Sequence, residues 1–122
     1  MQTAQGFDIA QLGVDVYLVA ARGELDVATA PELREALGTA RERGASRLIA
    51  DLGAVTFLDS AGLGVLVTCA KQLRMNGGEL VVVTDDPRIV RVFEITGLDA
   101  VVRVERSLIE AVNELAGRPA AV

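Results

Sequence analysis

Asp51-Leu52-Gly53-Ala54-Val55-Thr56-Phe57-Leu58-Asp59-Ser60-Ala61-Gly62-Leu63-Gly64-Val65-Leu66 is the stretch on which the reading of this chain turns. It leaves an apolar strand at residues 47–52 and crosses a loop or short extension at 53–57. It then enters a helix at Asp59 and Ser60, both good N-cap residues. The helix runs to about Met75 on an apolar stripe of Leu63, Leu66, Val67, Ala70 and Leu73, and Asn76-Gly77-Gly78 ends it. Strand, connection and helix in this order form the repeating unit of an α/β fold. In a parallel layout the connection lies at the carboxyl edge of the sheet, where ligands and partners bind.

Working outward, residues 7–22 read as two short strands. Val14-Asp15-Val16-Tyr17-Leu18-Val19-Ala20 is rich in β-formers, and Gly13 separates it from Phe7-Asp8-Ile9, which predicts a hairpin. Gly23-Glu24-Leu25-Asp26 reads as a turn. Thr29-x-x-Glu32 with Pro31 predicts a capped helix carrying Leu33, Ala36, Leu37 and Ala40, stopped by Gly44. Downstream, the apolar run 80–83 suits a strand buried on both faces. Asp86-Pro87 opens a third helix with Ile89, Val90 and Phe93 inward and Gly97 closing it. A last strand at 101–104 precedes a capping box, Ser107-x-x-Glu110, and a helix carrying Leu108, Val112 and Leu115. The tail from Gly117 is expected to fray. The order β-β-α-β-α-β-α-β-α predicts one α/β domain over 1–122, with its core at about 7–116. Its sheet is mixed but mostly parallel, with an N-terminal hairpin.

Composition bounds the function. The chain has 122 residues, 51% of them hydrophobic, with three Phe, one Tyr and no Trp, so the core must be aliphatic. A formal charge of −5 argues against non-specific nucleic-acid binding, which needs clustered Lys and Arg. The absence of histidine removes the commonest general base and metal ligand. Cys69, the single cysteine, reads as a small buried hydrophobe and suits a reducing compartment. No run of 18 apolar residues spans a membrane, and MQTAQGFDIAQ lacks the basic and apolar regions of a signal peptide. A cytoplasmic protein is expected.

Ser60 has two readings on residue chemistry alone: a helix cap, or an accessible site that tolerates an anion. Gly62 and Gly64 weigh against a purely structural role, because each costs roughly 1 kcal/mol against Ala inside a helix. Small residues there keep the helix start bare for a partner. A phosphate on Ser60 would add about −1.5 to −2 charges, which a helix N-terminus accommodates. Gly62-x-Gly64 completes neither a dinucleotide fingerprint, since position 67 is Val, nor a P-loop, since no Lys follows. A serine nucleophile lacks both a histidine and the G-x-S-x-G context. Lys71 is the only lysine, and nothing pairs it with Ser60. Thr56 is a second hydroxyl, read as buried or structural because it precedes Phe57-Leu58. Arg41, Glu42, Arg43, Asp85 and Asp86 read as solvated helix ends and caps, and Glu24 as a surface charge.

Several blocks together resemble the STAS-domain anti-sigma factor antagonists. They are Gly23-Glu24-Leu25-Asp26, the segment from Phe57 to Leu66, Gly77-Gly78 before a strand, and Phe93-Glu94-Ile95-Thr96-Gly97-Leu98. The resemblance covers about residues 7 to 116, and Asp59-Ser60-x-Gly62-Leu63-Gly64 is its specific part. It implies a phosphoprotein, not an enzyme, that works by partner switching in transcription regulation. In that family the serine after the Asp is phosphorylated by a serine kinase of the GHKL ATPase type, itself the anti-sigma factor. The unphosphorylated antagonist binds the kinase and frees a sigma factor; a PP2C-type phosphatase reverses the mark. Carried over, Ser60 is the phosphoacceptor, and Asp26, Asp59, Ser60 and Gly62 form the partner-binding surface, with no cofactor, metal, nucleic acid or membrane implied. Ala61 departs from the second Ser of many members. The alternative is a STAS module in a stressosome-like scaffold or a transporter accessory subunit.

Overall fold

The computed structural model describes residues 2–4 and 6–116, so the tail from Gly117 lies outside the described residues. Its strands are β1 (Gln2–Ala4), β2 (Phe7–Gln11), β3 (Val16–Leu25), β4 (Arg47–Leu58), β5 (Glu79–Val83) and β6 (Arg103–Glu105). Its helices are α1 (Ala30–Glu42), α2 (Ser60–Met75), α3 (Pro87–Thr96) and α4 (Leu108–Ala116). One sheet holds the strands in the order β1-β2-β3-β4-β5-β6. β1, β2 and β3 pair antiparallel, and β3 to β6 pair parallel. The expected mixed, mostly parallel architecture is present, with one strand more than the five read from the sequence: the three residues of β1 are too short to carry a pattern.

Alternation along the central strands assigns the helices to faces. Leu48, Ala50 and Leu52 of β4 and Leu80 and Val82 of β5 pack in one cluster with Leu33 and Leu37 of α1, Leu66 and Leu73 of α2 and Phe93 of α3. Ile49, Val81 and Val83 point the other way, against Ala111 and Leu115 of α4. The central strands are therefore apolar on both faces, as parallel strands covered twice must be.

Two boundaries differ from expectation for one reason. Gly23-Glu24-Leu25 is strand rather than turn, and β4 runs on to Leu58 instead of ending at Leu52, so residues 53–57, read as a loop or short extension, are the extension. The β3–β4 register shifts between Ala20 and Arg22 and again between Gly23 and Glu24, where Gly23 takes a φ of +78°. Such bulges break the period-2 alternation by which a strand is recognised. The last strand is displaced too: residues 98–102 form a 3-10 turn and bend, and β6 begins at Arg103.

At the amino edge of the sheet, Arg47 holds Asp15 with two nitrogens, Nη2 to Oδ1 at 2.8 Å and Nε to Oδ2 at 3.2 Å. Its Nη1 donates to the carbonyl oxygen of Leu115 at 2.9 Å, closing the end of α4. Among the described residues, no helix is long and apolar enough to cross a membrane.

Candidate functional site

β3 and β4 outrun their outer neighbours. β2 leaves β3 at Ala21, β5 leaves β4 at Asp51, and the two central strands continue together to the register pair Leu25↔Leu58. Asp26 and Asp59 are thus the first residues past the same strand end. The Asp59 N–H donates to the Leu25 carbonyl at 3.0 Å, tying the two exits together.

One aspartate caps a helix and the other shapes the turn that leads into one. Asp59 is the N-cap of α2, and its Oδ1 accepts from the N–H groups of Ala61 at 2.9 Å and Gly62 at 3.2 Å. Asp26 Oδ1 accepts from the N–H groups of Ala28 at 3.0 Å and Thr29 at 3.1 Å, shaping the turn into α1. Thr29 does not form the expected capping box. Its hydroxyl reaches back, donating to the Glu24 carbonyl at 2.8 Å and accepting from the Asp26 N–H at 2.9 Å. Both Asp26 and Asp59 are half-buried, and among the described residues the Oδ2 atom of each takes no hydrogen bond.

Because Asp59 caps α2, Ser60 is the first helical residue rather than the cap. Its side chain is exposed, and among the described residues its hydroxyl makes no hydrogen bond. An N-capping serine would hold its oxygen against the backbone; here that oxygen is free. The site is therefore an unengaged hydroxyl at a helix N-terminus, directly after the capping Asp59 and at the strand end that Asp26 also leaves. No imidazole exists in the chain to deprotonate it.

Gly62 and Gly64 differ in role. A Cβ on Gly62 would lie 2.9 Å from Leu58 Cδ1 and 3.0 Å from both the Cβ and carbonyl oxygen of Leu25. Gly62 is buried and seats α2 on the strand ends, beneath the exposed Ser60. Gly64 is exposed and a Cβ there would meet nothing within 4 Å, so it leaves the outer face of the helix bare. Nothing in the sequence around them distinguishes these two glycines. Thr56, read as buried or structural, is an exposed residue of β4, at the bulge where the β3–β4 pairing passes from Val55 to Phe57. Phe57 is half exposed and Val27 mostly exposed, which adds apolar surface to the same edge.

A family model described as the STAS domain matches residues 9–111. The chain is 43% identical over 88 residues to the anti-sigma-B factor antagonist of Staphylococcus aureus, covering 72% of this chain and 82% of that protein. An anti-sigma factor antagonist from Mycobacterium paratuberculosis shares its structure with a TM-score of 0.80 at 28% identity, over 95% of this chain and 99% of the other. SpoIIAA, a Bacillus cell fate determinant, in its phosphorylated form gives a TM-score of 0.71 at 21% identity over 89% and 98%, a likeness of fold.

Proposed function

This chain belongs to the STAS-domain family of anti-sigma factor antagonists, and on that premise we propose that it antagonises an anti-sigma factor through a surface centred on Ser60, with phosphorylation of Ser60 as the off switch. The observation that carries the reading is the free, exposed Ser60 hydroxyl beside an aspartate that already caps the helix. A kinase can take this hydroxyl without displacing any bond of the fold.

The added phosphate brings about −1.5 to −2 charges to an edge that already holds the open oxygens of Asp26 and Asp59. The helix N-terminus tolerates the anion. A partner packing against that edge meets the added bulk and must bury a phosphate beside two carboxylates, and burying charge without full compensation is costly. Asp26, Asp59 and Ser60 make the contact surface, and Gly62 sets the height of α2 beneath it. By family resemblance, the partner is a serine kinase of the GHKL ATPase type and the eraser a PP2C-type phosphatase. The protein itself is a cytoplasmic substrate and binding partner, not a catalyst.

The test is incubation with the cognate anti-sigma kinase and ATP, read by intact mass and site mapping. One phosphate on wild type and none on Ser60→Ala is expected. Modification that persists in Ser60→Ala, or that maps to the exposed Thr56, overturns the assignment.

A further inference from the structure

Away from the carboxyl edge, a cleft lies between α1 and α2 that the proposed switch does not use. The cleft has a volume of about 190 Å³. Its floor is Leu37, Val65 and Cys69, all buried, and its walls carry Arg34, Arg41 and Thr68. Gly38 also lines it, and a Cβ there would meet nothing within 4 Å, so the missing side chain leaves the space open.

The charges at the cleft are one-sided. Among the described residues Arg34 makes no ion pair or hydrogen bond, and Arg41 donates only to the neutral amide oxygen of Gln72. By contrast, Arg22, Arg47, Arg88 and Arg103 each hold a carboxylate. Two guanidinium groups without acidic partners therefore flank one cleft in a chain whose net charge is −5. They lie two turns apart on α1, about 10 Å along the axis, at the two ends of the α1 segment that lines the cleft. The floor adds no opposing charge, because burial pushes the Cys69 thiol up to about 11 and keeps it protonated.

We propose that this cleft binds a small oxyanion, a carboxylate or phosphate monoester, that carries a short apolar group. Arg34 and Arg41 grip the head, since a guanidinium matches both oxyanions with paired N–H donors. The apolar group lies on Leu37, Val65 and Cys69. The ligand must be small, because the space is below the ~300–1,000 Å³ typical of drug-sized pockets. This site is separate from Ser60, and its test does not depend on any kinase.

The experiment is an amide chemical-shift titration of the whole chain with octanoate and octyl phosphate, using octanol and acetate as controls. Saturable shifts at Gly38, Val65, Thr68 and Cys69 are expected with at least one of the two amphipathic anions, which also identifies the preferred head group. Octanol and acetate should bind more weakly. Replacing both arginines, Arg34→Ala with Arg41→Ala, should weaken binding about tenfold or more, the loss expected of a charge-assisted pair. Arg34→Gln alone, at an exposed position without contacts, gives the same reading if the double variant is unstable. The proposal is overturned if neither anion gives saturable shifts, if octanol binds as well as they do, or if the arginine variants bind unchanged.

Discussion

A side chain at Gly62 would set its first carbon 3.0 Å from the carbonyl oxygen of Leu25. The backbone of β3 thus decides what α2 can carry at its first turn. Gly62→Ala gains roughly 1 kcal/mol of helix propensity but must push α2 off a strand end that cannot move aside. A net loss of about 1–3 kcal/mol, as for other overpacked sites, is expected in urea unfolding. Gly64→Ala, two residues on and in open space, should stabilise by about 1 kcal/mol. Equal responses at the two positions would refute the division of roles.

Ser60→Ala removes a hydroxyl that bonds to none of the described residues and should leave stability within about 0.5 kcal/mol of wild type. Asp59→Ala removes the cap of α2 and should cost about 1 kcal/mol. Equilibrium unfolding of both variants checks the pair. A large loss in Ser60→Ala would mean that Ser60, not Asp59, starts the helix.

Arg47 is buried with Asp15 and also closes α4 through Leu115. Arg47→Ala leaves a buried carboxylate without its main partner and should cost about 3–5 kcal/mol. A melting temperature near wild type would show that the pair is dispensable.

The Cys69 thiol is pushed up from 9.0 to about 11, chiefly by burial, with Arg41 opposing. The folded state favours the neutral thiol, so its contribution is complete below pH 9 and is lost as pH rises towards 11. A tenfold change in an ionisation equilibrium is worth about 1.4 kcal/mol, so wild type should lose about 2–3 kcal/mol more than Cys69→Ala across that window. Native protein at pH 8 should also react slowly with iodoacetamide. Rapid alkylation without unfolding would place the thiol outside the core.

The bounds of α2 were legible because three signals agree: an aspartate cap, a helical stripe and Asn76-Gly77-Gly78. α3 was legible for the same reason, between the cap Asp86 and the left-handed Gly97. The ribbon formed by β3 and β4 was not, since its bulges replace alternation with an irregular burial pattern. That hid the exposure of Thr56 and Phe57. The sequence places both Asp59 and Ser60 at the start of α2, but which of them caps it depends on local backbone geometry that residue type does not fix. The α1–α2 cleft was invisible because Arg34 and Cys69 meet only when two helices pack side by side.

The grip of Arg47 on Leu115 also bears on the order in which the molecule is made. The two residues are 68 positions apart in the chain. At ribosomal speeds of about 5–20 residues per second, several seconds separate their synthesis. During that interval Arg47 has Asp15 within reach but not the last helix, and Ile49, Val81 and Val83 lack their cover. The sheet face that α4 covers is therefore the last that can be completed, and a chain lacking α4 would leave Ile49, Val81 and Val83 without that cover.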